Sequence, residues 1–120
     1  MKLSKKSLAL FAIFTASALV SVTPAESHSV KRSRIYVSPR VRGYNVDATS
    51  KNWTGSNFSE NSAMWRAANG FCKYQGYEEA VGFNYSKSAG NEKRIRFDRT
   101  GDYTYFTGEW EMRAITCADY

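Results

Sequence analysis

The residues able to do chemistry here are tyrosines and tryptophans interleaved with arginine, two cysteines, and scattered carboxylates. The chain has one histidine, His28, placed beside a cleavage-type segment, so acid/base or nucleophilic catalysis led by histidine is not expected. No Gly-x-Ser-x-Gly elbow surrounds any serine, and no Lys or His is spaced to activate one. Two cysteines with one distant histidine do not make a closed zinc site. Asp98 and Asp102 flank a short turn without calcium-loop spacing, so no metal and no cofactor is expected. Glu78, Glu79, Glu109 and Glu111 are the only candidates for paired-carboxylate work, and their pattern is that of ordinary solvated acids. The sequence therefore predicts no catalytic residues.

Aromatic content points elsewhere. Tyr36, Tyr44, Trp53, Tyr74, Tyr77, Tyr85, Tyr103, Tyr105 and Trp110, alongside five phenylalanines from Phe58 to Phe106, exceed what one small core can cover. Exposed Tyr and Trp beside Arg present an apolar face with a polar edge, which suits sugars or proteins. Trp53, Tyr85, Arg94, Arg96, Tyr103 and Tyr105 are the candidate ligand contacts. Trp53 sits in a Thr/Ser/Asn/Gly loop without apolar neighbours and is the aromatic least needed by a core, whereas Trp110 opens an apolar alternation and is expected to pack.

Charge and topogenic signals set the compartment. Lys2, Lys5 and Lys6 precede an apolar run from Leu8 to Val22 and then Thr23-Pro24-Ala25-Glu26-Ser27, the pattern of a secretory signal peptide over residues 1–27. The expected location is secreted or periplasmic. Of the formal net charge of +6, three lysines belong to that segment. Lys31, Arg32, Arg34, Arg40 and Arg42 then form a basic arm over 28–42, and the body from Gly43 onward is close to neutral. The arm is either an edge strand through Ile35-Tyr36-Val37, a solvated or processed terminus, or a contact for anionic lipid at a membrane surface, glycan or nucleic acid. Nucleic acid is not expected as a partner of an exported, near-neutral body, and the oligomeric state is left open.

The elements that must hold these residues follow from periodicity. Stepping 100° per residue through Trp65–Ala80 places Met64, Trp65, Ala67, Ala68, Phe71 and Cys72 on one arc and Ser62, Arg66, Asn69, Gly70 and Lys73 opposite, an amphipathic helix. Ser59 as N-cap, Glu60 in the first turn, Phe58 as a hydrophobic staple and Gly76 as terminator bound it to about Glu60–Gln75. Val81/Phe83/Tyr85, Ile95/Phe97, Tyr103/Tyr105 and Trp110–Cys117 read as strands, with turns at Ser86–Asn91, Arg99-Thr100-Gly101 and Thr107-Gly108. The expected fold is α+β: one helix on a small antiparallel sheet of three to five strands in a single domain over 43–120. An even cysteine count in an exported chain predicts a Cys72–Cys117 disulfide between helix and last strand.

Ala68-x-x-x-Cys72-Lys73-x-x-Gly76-Tyr77-x-x-Ala80 resembles the helix motif of scavenger receptor cysteine-rich domains, and Trp65-x-x-Ala68-x-x-x-Cys72-x-x-x-Gly76 is similar to the first-helix motif of C-type-lectin-like domains. Both resemblances span about 16 residues, lack the further disulfides usual in those families, and transfer no ligand residue. They imply a stapled helix-on-sheet unit suited to extracellular recognition. The leading expectation is a secreted, non-enzymatic module binding an extracellular or envelope glycan or protein. The alternative is a secreted effector, an enzyme inhibitor or membrane-active toxin, led by the basic arm.

Overall fold

The structure, a computed structural model, describes residues 29–120; the expected signal peptide and His28 lie outside the described residues. Six elements follow in order: β1 Arg32–Val37, β2 Arg40–Val41, β3 Tyr44–Asn45, α1 Glu60–Tyr74, β4 Glu79–Phe97 and β5 Tyr103–Asp119. The three long strands form an antiparallel sheet in the order β1-β5-β4, and β2 and β3 form a separate small hairpin. The α+β fold is thus as the sequence predicts, with one helix packed on the sheet.

α1 starts where capping chemistry places it. Ser59 is extended, and its hydroxyl accepts from the Ser62 N–H at 3.1 Å, satisfying one of the amides that the first helical turn leaves unpaired. At the other end Gly76 has φ +91°, the left-handed conformation that costs a Cβ-free residue little, and the Tyr77 N–H closes back on the Cys72 carbonyl at 2.9 Å. Ala63, Met64, Ala67, Ala68, Phe71 and Cys72 are buried against the sheet.

Two assignments from the helical wheel are corrected. Trp65 is 36% exposed, and its ring lies at the edge of the interface against Phe83. Gly70, placed on the solvent side by the wheel, is buried where α1 crosses the end of β4. A Cβ built there would lie 1.8 Å from the Asp98 carbonyl oxygen and 2.9 Å from Phe97 Cβ. The missing side chain therefore sets the helix–sheet distance, which explains a glycine that intrinsic propensity disfavours. Gly70→Ala is expected to cost about 1–3 kcal/mol through forced separation of α1 from Phe97 and Asp98, against the small gain in helix propensity, measurable by urea unfolding.

β4 and β5 are longer than the predicted strands because two expected turns are absorbed into them. Ser86–Asn91 is a wide irregularity between the Lys87↔Trp110 and Glu92↔Gly108 pairs of a continuous β4, and Thr107-Gly108 lies within β5. Only the 99–101 turn joins two strands, with Gly101 at φ +100°. The alternation of Val81, Phe83 and Tyr85 is broken by register shifts at Ala80/Gly82 and Asn84/Tyr85. As a result Val81 and Tyr85 are exposed, at 44% and 43%.

The segment read as a basic arm is part of the sheet. β1 pairs with β5 from Arg32↔Asp119 to Val37↔Ala114, so the sheet begins ahead of the expected boundary at residue 43, and the edge-strand alternative holds over the solvated terminus. Arg32 donates from Nε to the Asp119 carboxylate at 2.8 Å and lies over the Tyr77 ring, and Arg34 lies over Tyr36. Arg40 bonds the Asn45 side chain and the Gly43 carbonyl. Partial burial pushes the Asp119 carboxyl up, but hydrogen bonds from Arg32 and the Glu78 N–H, with the charge of Arg32, outweigh it and hold the group below its usual range. Tyr36 meanwhile packs edge-on against Phe71, so β1 also closes one side of the core.

Candidate functional site

The disulfide joins Cys72 in the last turn of α1 to Cys117 near the end of β5, with both residues fully buried and their Cα atoms 5.4 Å apart. It locks the helix to the central strand of the sheet.

Arg94 and Arg96, proposed from sequence as surface contacts, are both corrected. They occupy alternate positions on β4, which the chain from Val46 to Lys51, a stretch that sequence reads partly as loop, bridges to β5. That chain runs between the outer edges of β4 and β5: the Asp47 N–H donates to the Ile95 carbonyl, Lys51 N–H to Phe97, Ala48 N–H to Trp110, and Met112 N–H to Val46. Arg94 is 0% exposed. Its guanidinium reaches the Glu111 carboxylate, the Ser88 hydroxyl at 2.6 Å and the Gly108 carbonyl at 3.2 Å. Glu111 takes further hydrogen bonds from Arg113 at 2.8 Å and the Asn45 amide at 3.0 Å. Arg96 donates to Asp47 at 3.0 Å and to the Thr49 hydroxyl at 2.7 Å, with its flat face on Phe106. Carboxylates spent in this way are unsuited to acid/base work, because their lone pairs already serve cations.

The two tryptophans exchange the roles expected of them. Trp53 is half-buried, and its indole N–H donates to the Phe58 carbonyl at 2.9 Å, which ties the loop to the start of α1. Trp110 is 45% exposed. No sequence signal distinguishes the two, because alternation in a strand does not say which face meets water.

Trp110 belongs to a row of aromatics across the sheet. Trp65 meets Phe83 with ring centroids 4.8 Å apart, Phe83 meets Tyr85 at 6.4 Å, and Tyr85 meets Trp110 at 6.0 Å. α1 supplies the first ring, β4 the second and third, and β5 the last. Beside Tyr85 and Trp110 a cleft of about 80 Å³ opens between the first turn of α1 and the sheet, lined also by Ala48, Thr49, Glu60 and Met64. Phe83, Trp65 and Trp110 were not among the sequence candidates; the bulge that turns Tyr85 outward beside Phe83 has no sequence marker.

Tyr103 and Tyr105, the remaining candidates, lie at the other end of the hairpin in a second group. Tyr105 meets Tyr44 at 5.4 Å and Tyr103 at 6.4 Å, and Tyr103 meets Tyr74 at 5.7 Å, all edge to face. Among the described residues no group of three or more His, Cys, Asp or Glu is placed to hold a metal ion, and no helix is long and apolar enough to cross a membrane. Comparison with protein-family models, with curated proteins and with solved structures finds no match to this chain.

Proposed function

We propose that this chain is an exported, non-enzymatic binding domain whose ligand is a glycan, held on the row Trp65–Phe83–Tyr85–Trp110 and in the cleft at its end. The observation that carries the reading is the pair Tyr85 and Trp110, each more than two-fifths exposed, standing at 60° to one another at the mouth of a cleft that also offers the Glu60 carboxylate. A pyranose has apolar C–H faces for such rings and hydroxyls for a carboxylate, and a row of rings accommodates successive units of a chain. The signal-type N-terminus and the Cys72–Cys117 bridge support an extracytoplasmic setting. The local likeness of α1 to helices of extracellular recognition domains agrees with it. The arm-led effector reading has less behind it, since Arg32, Arg34 and Arg40 are each engaged within the fold.

Trp110→Ala is expected to weaken glycan binding by at least about 1 kcal/mol while leaving the melting temperature nearly unmoved, the behaviour of an exposed anchor. Intrinsic fluorescence titration across a panel of neutral oligosaccharides reads both the ligand and the loss. Trp53→Ala serves as the contrasting variant, lowering stability and sparing affinity. A Trp110→Ala protein that binds as the parent does, with every oligosaccharide that the parent binds, removes the row as the binding surface.

A further inference from the structure

The β2–β3 connection is a two-residue turn, Arg42-Gly43, between the paired residues Val41 and Tyr44. Both turn residues have positive φ, +54° and +85°. Hairpin turns of this kind favour Asn or Gly at the first position, and an arginine there is uncommon. The turn leads directly into Tyr44, whose ring meets that of Tyr105 at 5.4 Å, so the exposed Arg42 stands beside the tyrosine group at the hairpin end. On the other side Lys93 Nζ lies 4.4 Å from the Tyr105 ring centroid and 5.3 Å from that of Tyr44. The ion pairs among the described residues include neither Arg42 nor Lys93. Two exposed cations thus flank tyrosines without a carboxylate to neutralise them, and one of them is held in a backbone conformation that another residue would adopt more readily. Strain kept at an exposed, charged position is the pattern of a position retained for contact rather than for stability.

We propose that Arg42, Lys93 and the hydroxyls of Tyr44, Tyr74, Tyr103 and Tyr105 form a second site, for an anionic saccharide bearing carboxylate or sulfate groups. The tyrosine rings pack edge to face on one another, and Lys93 lies over two of them. That favours a ligand recognised by hydroxyl hydrogen bonds and charge over a nucleobase, which needs a free ring to stack on. This site stands apart from the row ending at Trp110 and does not depend on it.

The test is calorimetric titration of the mature protein with a sulfated glucosamine–uronate hexasaccharide, its desulfated and carboxyl-reduced counterpart, and a single-stranded oligonucleotide. The charged hexasaccharide should bind about tenfold more tightly than the neutral one and lose affinity between roughly 50 and 200 mM salt. Arg42→Asn should lower that affinity by about fivefold or more while the melting temperature stays level or rises, because Asn suits the turn. Lys93→Gln should lower affinity similarly, and Trp110→Ala should not. Equal binding of the neutral saccharide by the Trp110→Ala protein, in which the aromatic row is disabled, equal or tighter binding of the oligonucleotide, or unchanged affinity for the charged hexasaccharide in both Arg42→Asn and Lys93→Gln would overturn the proposal. Loss of neutral-glycan binding in Trp110→Ala reports on the other surface and leaves these outcomes distinct.

Discussion

Replacing Glu111 by Ala is expected to destabilise the protein by about 3–5 kcal/mol, as large an effect as any surface-accessible reading of the sequence would assign to a core residue. Arg94 is fully buried, and Glu111, itself 6% exposed, is its carboxylate partner. Without that carboxylate the guanidinium keeps the Ser88 hydroxyl, the Gly108 carbonyl and a distant contact at 3.9 Å with Glu92, but its charge is left buried and uncompensated. The same substitution unties Asn45 and Arg113, which Glu111 draws toward the centre of the bent hairpin. The pair as a whole is a different quantity, because desolvating two charges offsets much of their attraction. Arg94→Met with Glu111→Leu is therefore expected to cost much less than Glu111→Ala alone. Denaturant unfolding of the two single variants and the double variant measures the coupling. A loss under about 1 kcal/mol in Glu111→Ala would mean that water or a rearranged acid reaches Arg94.

Removing the disulfide by Cys72→Ala with Cys117→Ala should cost about 4 kcal/mol, within a usual range of 2–5. The bridge closes a loop with a sequence separation of 45, and the chain-entropy cost of an open loop that long is the larger part of the effect. For a domain of this size that is a large share of its total stability, so the double variant is expected to be largely unfolded at physiological temperature. The measurement is thermal unfolding of the oxidised parent, the reduced parent and the double variant. The reduced parent should fall close to the double variant, and a melting temperature unchanged on reduction would show that the α1–β5 contacts suffice without the bond.

How much of this was readable from the chain depends on the range of the interaction involved. Local interactions were readable. Ser59, Glu60 and Gly76 bound α1 because caps act within one turn, and Ile95 and Phe97 turn inward because a strand alternates over two residues. The helix-on-sheet class and the cysteine pairing followed from such signals together with the even count of cysteines. What the sequence could not decide is which second element covers each face. Arg94 and Arg96 occupy the polar phase of an alternating strand, and alternation alone sends them to solvent. Arg94 is buried against Glu111 of β5, and Arg96 is largely covered because Asp47 and Thr49 reach it across 49 and 47 positions. Trp53 and Trp110 exchange roles likewise, one gaining a partner carbonyl at Phe58 and the other left 45% exposed. Periodicity sends Gly70 to the solvent side, yet it is buried, because the Asp98 carbonyl occupies the space that a Cβ would need. Periodicity determined which residues share a face; only the long-range packing of chain segments decided which of those faces meet water, and so which aromatics remain free to bind.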